Sequence, residues 1–137
     1  MKKLLIFLFI IPFLNACSGT GTKSIPNTSV SNSTASTLYF VRKGGYVGGG
    51  VLAVIKVNGR EIAKLGTKEF TQHTVNGNYS IKVSAGGMNS LVFGKDSISG
   101  VGKNGSKHFF IISVQPGLLQ QAFEITETTE TGFQQAN

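Results

Sequence analysis

This chain of 137 residues holds one cysteine, two histidines and, among its six acids, one aspartate. Each shortage excludes a class of chemistry. A single cysteine, Cys17, allows no internal disulfide and no paired-cysteine metal motif. A protein metal site needs three or four ligands. His73, His108 and the carboxylates show no spacing that would supply them, so no metal and no cofactor is expected. A Ser–His–Asp set can be scattered along a sequence. Here Asp96 is the only aspartate and serine is abundant throughout, so a hydrolase is the least supported reading. His73 and His108 are each expected on the polar face of a strand. A paired-carboxylate mechanism would have to draw on Glu61, Glu69, Asp96, Glu124, Glu127 and Glu130. The last three fall in or beyond the final strand, where solvent exposure explains them.

Phosphate loops are missing as well. Gly44-Gly45-Tyr46-Val47-Gly48-Gly49-Gly50 is glycine-rich, but a strand follows it, and a phosphate cradle needs a helix start. Gly100-Val101-Gly102-Lys103-Asn104 has Ser97 where the first glycine belongs, and no Ser or Thr after Lys103. No stretch of helical period reaches ten residues. Charge is sparse, and nucleic acid is not an expected partner.

What the chain does have begins at its first residues. Lys2 and Lys3 are followed by Leu4 to Leu14, almost wholly apolar and broken only by Pro12. A charged start, a short apolar run and a small residue before a cut mark a secretory signal. The run is too short to span a bilayer, which takes about 20 apolar residues. Leu14-Asn15-Ala16-Cys17 resembles the lipobox of bacterial lipoproteins. The resemblance implies a signal peptide over 1–16, cleavage before Cys17, diacylglycerol on its sulfur and an acylated amino group. Membrane lipid is then a partner through Cys17. Ser18 rather than Asp after the cysteine implies the outer membrane in enterobacteria-like sorting. The chain from Cys17 has 11 basic residues against 6 acids, a formal charge of +5, where the full chain has 13 and +7.

Residues 17–36 are polar, with only Ile25 and Val30 as large apolar groups. Such a segment buries too little to offset its ordering entropy. It is expected to be a flexible tether, about 25 Å long on average. From Thr37 the period becomes two. Strands are expected over 37–42, 51–57, 60–65, 70–75, 79–84, 91–93, 108–114 and 121–126. Val51 to Val57 is continuous enough in apolar residues to lie centrally. In 79–84, Tyr79, Ile81 and Val83 should face the core. Asn58-Gly59 and Asn76-Gly77 each read as a tight hairpin. The expected fold is one small antiparallel β-sandwich of about seven strands over 37–127, with a tail over 128–137.

The order of Tyr39-Phe40-Val41-Arg42, a Gly-rich loop, an Asn-Gly hairpin ending in Leu65-Gly66, Tyr79-x-Ile81-x-Val83, Phe109-Phe110 and Phe123-x-Ile125 resembles a family of small bacterial lipoproteins, a domain of unknown function. It is also similar to PEGA-type and transthyretin-like envelope sandwiches, although Asn76 stands where such domains often have Pro before Gly77. The resemblance implies a β-sandwich lipoprotein and lends no catalytic residue. Three functions stay open: an accessory or protein-interaction module of the envelope, a binding module for a cell-wall or anionic lipid ligand, and a hydrolase. Tyr46, with Arg42 and Lys43, is the expected contact surface.

Overall fold

The computed structural model describes residues 19–45 and 48–136. Among these residues nine strands, against about seven expected, form two packed sheets, a β-sandwich. In chain order they are β1 (Ser36–Arg42), β2 (Ala53–Val57), β3 (Arg60–Leu65), β4 (Phe70–Val75), β5 (Gly77–Ala85), β6 (Phe93–Gly94), β7 (Asp96–Gly102), β8 (Lys107–Gln115) and β9 (Gln121–Thr128). A short 3₁₀ helix, Gly87–Leu91, precedes β6, and a helix, α1 (Glu130–Gln135), ends the chain. One sheet has the order β4-β1-β8-β9-β6 and the other β3-β2-β5-β7. Most neighbours are antiparallel, but β1–β8 and β6–β9 run parallel.

Strand parity builds the core. Leu38 and Phe40 of β1, Phe110 and Ile112 of β8, and Phe123 and Ile125 of β9 point inward from the first sheet. Ile55, Leu65, Tyr79, Ile81 and Val83 meet them from the second. β2 is central in its sheet, as its apolar run implies, and Tyr79, Ile81 and Val83 are buried. β1 shows no polar alternation because its other face is covered too. Tyr39 and Val41 join Phe70, Phe109 and Phe133 in a second apolar cluster beneath α1. The parallel register sets Tyr39 beside Phe109 and Phe40 beside Phe110, with ring centroids 5.1 and 5.4 Å apart.

The two Asn-Gly pairs part company. Asn58 (φ 50°) and Gly59 (φ 80°) close the β2–β3 hairpin with both central residues left-handed. Replacing Gly59 by Val should cost about 1 kcal/mol or more, because a β-branched residue is strained there. An unchanged unfolding midpoint would contradict that turn. Asn76-Gly77 is not a hairpin. β4 pairs only with β1, while β5 pairs with β2 and β7, so this dipeptide carries the chain from one sheet to the other. Only Gly77 is left-handed there.

Both chain ends differ from the sequence expectation. Residues 19–36 are not a free tether, and Ser36 already belongs to β1. Thr22 exchanges two backbone hydrogen bonds with Phe70, at 2.9 and 2.8 Å. Thr20 donates to Lys64 O at 2.7 Å and accepts from Lys64 N. Thr28 is buried, its carbonyl taking a bond from Lys107 Nζ. The segment docks through backbone groups, so it needs few apolar side chains. A chain starting at Ser36 should therefore be less stable than one starting at Gly19, by about 2 kcal/mol or more at roughly 1 kcal/mol per lost bond. Equal denaturation midpoints would show the segment to be dispensable. Nor is 128–137 a tail. Thr128 ends β9 and Phe133 of α1 is fully buried.

Candidate functional site

Arg42, Lys43 and Tyr46 were the expected contact residues. Lys43 is exposed, and Tyr46 lies outside the described residues, as do Cys17 and the segment 1–16. Arg42 is a correction. It is 1% exposed, because it follows Leu38 and Phe40 on the inward face of β1. Its guanidinium reaches the end of the core and ties loops together. Nη1 donates to Leu65 O at 3.0 Å and to Val51 O, and Nη2 donates to Gly48 O. The group lies 5.3 Å from the centre of the Phe123 ring. Burial pulls its pKa below the usual arginine value, and nearby Glu69 pushes the other way. Arg42 is thus an internal fastener of the Gly-rich loop.

The end of the sandwich that Arg42 closes gathers five segments. Backbone and side-chain bonds bring together 19–23, 43–45, 48–52 and 66–69. Loops 86–95 and 116–120 are joined to each other by the β6–β9 pairing, and Gly86 N donates to Leu52 O at 3.2 Å. Lys23, Lys43, Lys64, Lys68 and Lys95 are all exposed at this end. Nearby carboxylates are already committed. Glu69 is buried, accepts from Gly66 N at 2.7 Å and lies 3.6 Å from Lys23. Glu61 lies 3.6 Å from Lys64, and Asp96 accepts from Ile125 N at 3.0 Å. The chain enters the fold at this same end. A Cβ on Gly19 would come within 2.7 Å of Gly66 N and Lys64 O, so the segment is pressed against the β3–β4 turn.

The opposite end holds the nearest approach to catalytic geometry. His108 Nδ1 is 2.8 Å from Glu127 Oε1, and His108 Nε2 is 3.3 Å from Ser106 Oγ. Tyr79 Oη lies 3.3 Å from the same Nδ1. Burial and then Glu127 raise the Tyr79 pKa. A serine nucleophile must give its proton to the imidazole. Ser106 Oγ instead donates to Lys103 O at 2.7 Å and accepts from Lys103 N at 3.1 Å. That pattern clamps the β7–β8 turn, and the same hydroxyl lies 2.8 Å from Ser36 Oγ. His73 and His108 both pair with Leu38, from opposite sides of β1, so two strand spacings separate them. His73, half-buried, has its pKa lowered by burial and then by Arg60. Neither histidine stands on a free polar face, since both share the inward parity of Leu38.

No group of three or more His, Cys, Asp or Glu side chains among the described residues could hold a metal ion. No helix among them is long and apolar enough to cross a membrane. No family model, no curated protein and no solved structure matches the chain.

Proposed function

We propose that this is a lipid-anchored protein of the bacterial cell envelope, acylated at Cys17 and working by surface contact rather than by catalysis. The observation that carries the reading is Leu14-Asn15-Ala16-Cys17 at the end of a charged and then apolar segment. Its role is that of an accessory or protein-interaction module, and Ser18 directs it to the outer membrane. Ser106 Oγ bonds Lys103 N and O within the β7–β8 turn, which supports a structural role for the serine beside His108.

Two or more acyl chains hold a protein to a membrane stably, where one is marginal. Expressed in a bacterium fed labelled palmitate, the wild type should carry label and Cys17→Ser should not. Equal labelling of the two refutes the anchor. Sucrose-gradient fractionation should place the labelled protein with outer membranes, and recovery wholly in inner membranes would remove that address.

A further inference from the structure

The lysine-bearing end of the sandwich also carries most of the apolar surface that the fold leaves uncovered. Five of the eight exposed large apolar residues among those described are here: Met88, Leu91, Val92, Leu118 and Leu119. Met88 is 86% exposed, and Leu118 and Leu119 are completely so. They sit on two neighbouring loop tips, one around the 3₁₀ helix and one between β8 and β9. No core demand explains them, since the strands they join are already packed. The other three, Ile25, Val30 and Val101, are scattered.

We propose that this end is a membrane seat: the 86–92 and 116–120 tips enter the interface of an anionic phospholipid bilayer, and the exposed lysines of the same end face its headgroups. Three observations name that occupant. Lys43, Lys68 and Lys95 are exposed at this end, Lys23 and Lys64 are exposed there beside Glu69 and Glu61, and Glu69 and Asp96 are internally bonded. Anionic headgroups attract exposed lysines, while apolar tips gain by burial in the headgroup–acyl boundary. The third is where the chain leads. Gly19 is docked at this end, and Cys17 stands only two residues before it, at most about 7 Å of chain. This inference rests on the proposed anchor at Cys17, which would then hold this end, and no other, against the bilayer. The domain sits on the lipid surface rather than at the end of a spacer.

The test uses the full-length protein purified from bacterial membranes in two forms, Leu119→Cys and Asn104→Cys. Asn104 is exposed on the β7–β8 turn at the far end. Each new thiol is labelled with an environment-sensitive fluorophore, and mass spectrometry reports the state of Cys17. The proteins are reconstituted in vesicles of phosphatidylethanolamine and phosphatidylglycerol bearing doxyl-lipid quenchers. Quenching at position 119 should exceed that at 104 several-fold, with a blue-shifted emission at 119 alone. Equal quenching with Cys17 acylated overturns the seat and leaves the anchor standing. If the 119 probe stays in water on vesicles but shifts in native envelopes, a protein covers this end, and the bilayer proposal falls. If Cys17 proves unacylated, the anchor fails by itself. The seat is then judged with Cys17→Ser protein added to the same vesicles: selective quenching at 119 keeps it, and none removes it.

Discussion

Arg42→Met should lose about 3 kcal/mol or more of folding stability, since hydrogen bonds to a charged group contribute about 1.5–3 kcal/mol each and this one makes three. The side chain is fully enclosed, and its guanidinium serves the carbonyls of Gly48, Val51 and Leu65. Methionine keeps much of the apolar stem, so packing against Phe123 is retained. What disappears is the donor set. Leu65 O, the buried one of the three, loses its guanidinium partner at a cost of about 1–3 kcal/mol, while Gly48 O keeps the bond from Val51 N at 3.0 Å. Lysine should rescue little, since an ammonium cannot reproduce the planar fork that reaches three oxygens from two nitrogens. The expected loss is a large part of the roughly 5–15 kcal/mol that holds an ordinary domain together. Urea denaturation of the wild type, Arg42→Met and Lys43→Met should show a large fall in midpoint for Arg42 only. A midpoint for Arg42→Met matching that of Lys43→Met would return Arg42 to the surface, where the sequence had suggested it.

That contrast shows which information a sequence carries plainly. Strands with a clean alternation, such as Tyr79-Ser80-Ile81-Lys82-Val83, declare both their element and their buried face. Arg42 was misplaced by residue type, although its parity with Leu38 and Phe40 points inward. β7 escaped because Ser97, Ser99, Gly100 and Gly102 lack the bulk that marks a strand. The two glycines are small for causes in both sheets, Tyr79 of the partner strand β5 and Ser36 of β1 in the facing sheet. A Cβ on Gly100 would lie 2.6 Å from Tyr79 Cζ, and one on Gly102 would lie 2.6 Å from Ser36 Cβ. The stretch 91–93 fails as a strand because Leu91 ends the 3₁₀ helix and only Phe93 begins β6. Asn76-Gly77 has the composition of a hairpin turn, yet the choice between a hairpin and a change of sheet is made by pairings of β1 and β2 far along the chain. The same distance hides the lysine-bearing end, which draws on five separate loops. The Cys17 motif is the opposite case, wholly local, and the anchor proposed from it is stated without any reference to the fold.

The two ends of the chain were read as tether and tail because neither has an apolar stripe, and the C-terminal one supplies the second large prediction. α1 has six residues, far short of the roughly 12–15 at which an isolated helix becomes even marginally stable in water. Its local help is one cap, Thr129 Oγ1 accepting from Gly132 N at 3.1 Å. A bond from Thr28 to Glu130 fastens its first turn to the docked N-terminal segment. Packing must supply the rest, and it comes chiefly from Phe133. That ring is fully buried, with centroids 5.4 Å from Phe109, 5.5 Å from Phe70 and 6.1 Å from Tyr39. Phe133→Ala should therefore cost about 3–5 kcal/mol, as for other large-to-small core changes. It should also release α1 and uncover the outward face of β1 and β8. A hydrophobic dye should bind the folded variant, and amides of α1 should exchange fast while those of β2 and β5 stay protected. Phe133→Leu, which refills most of the space, should recover much of the loss. A variant Phe133→Ala with wild-type midpoint and no added dye binding would mean that the outer face of the sheet is closed by something other than this helix.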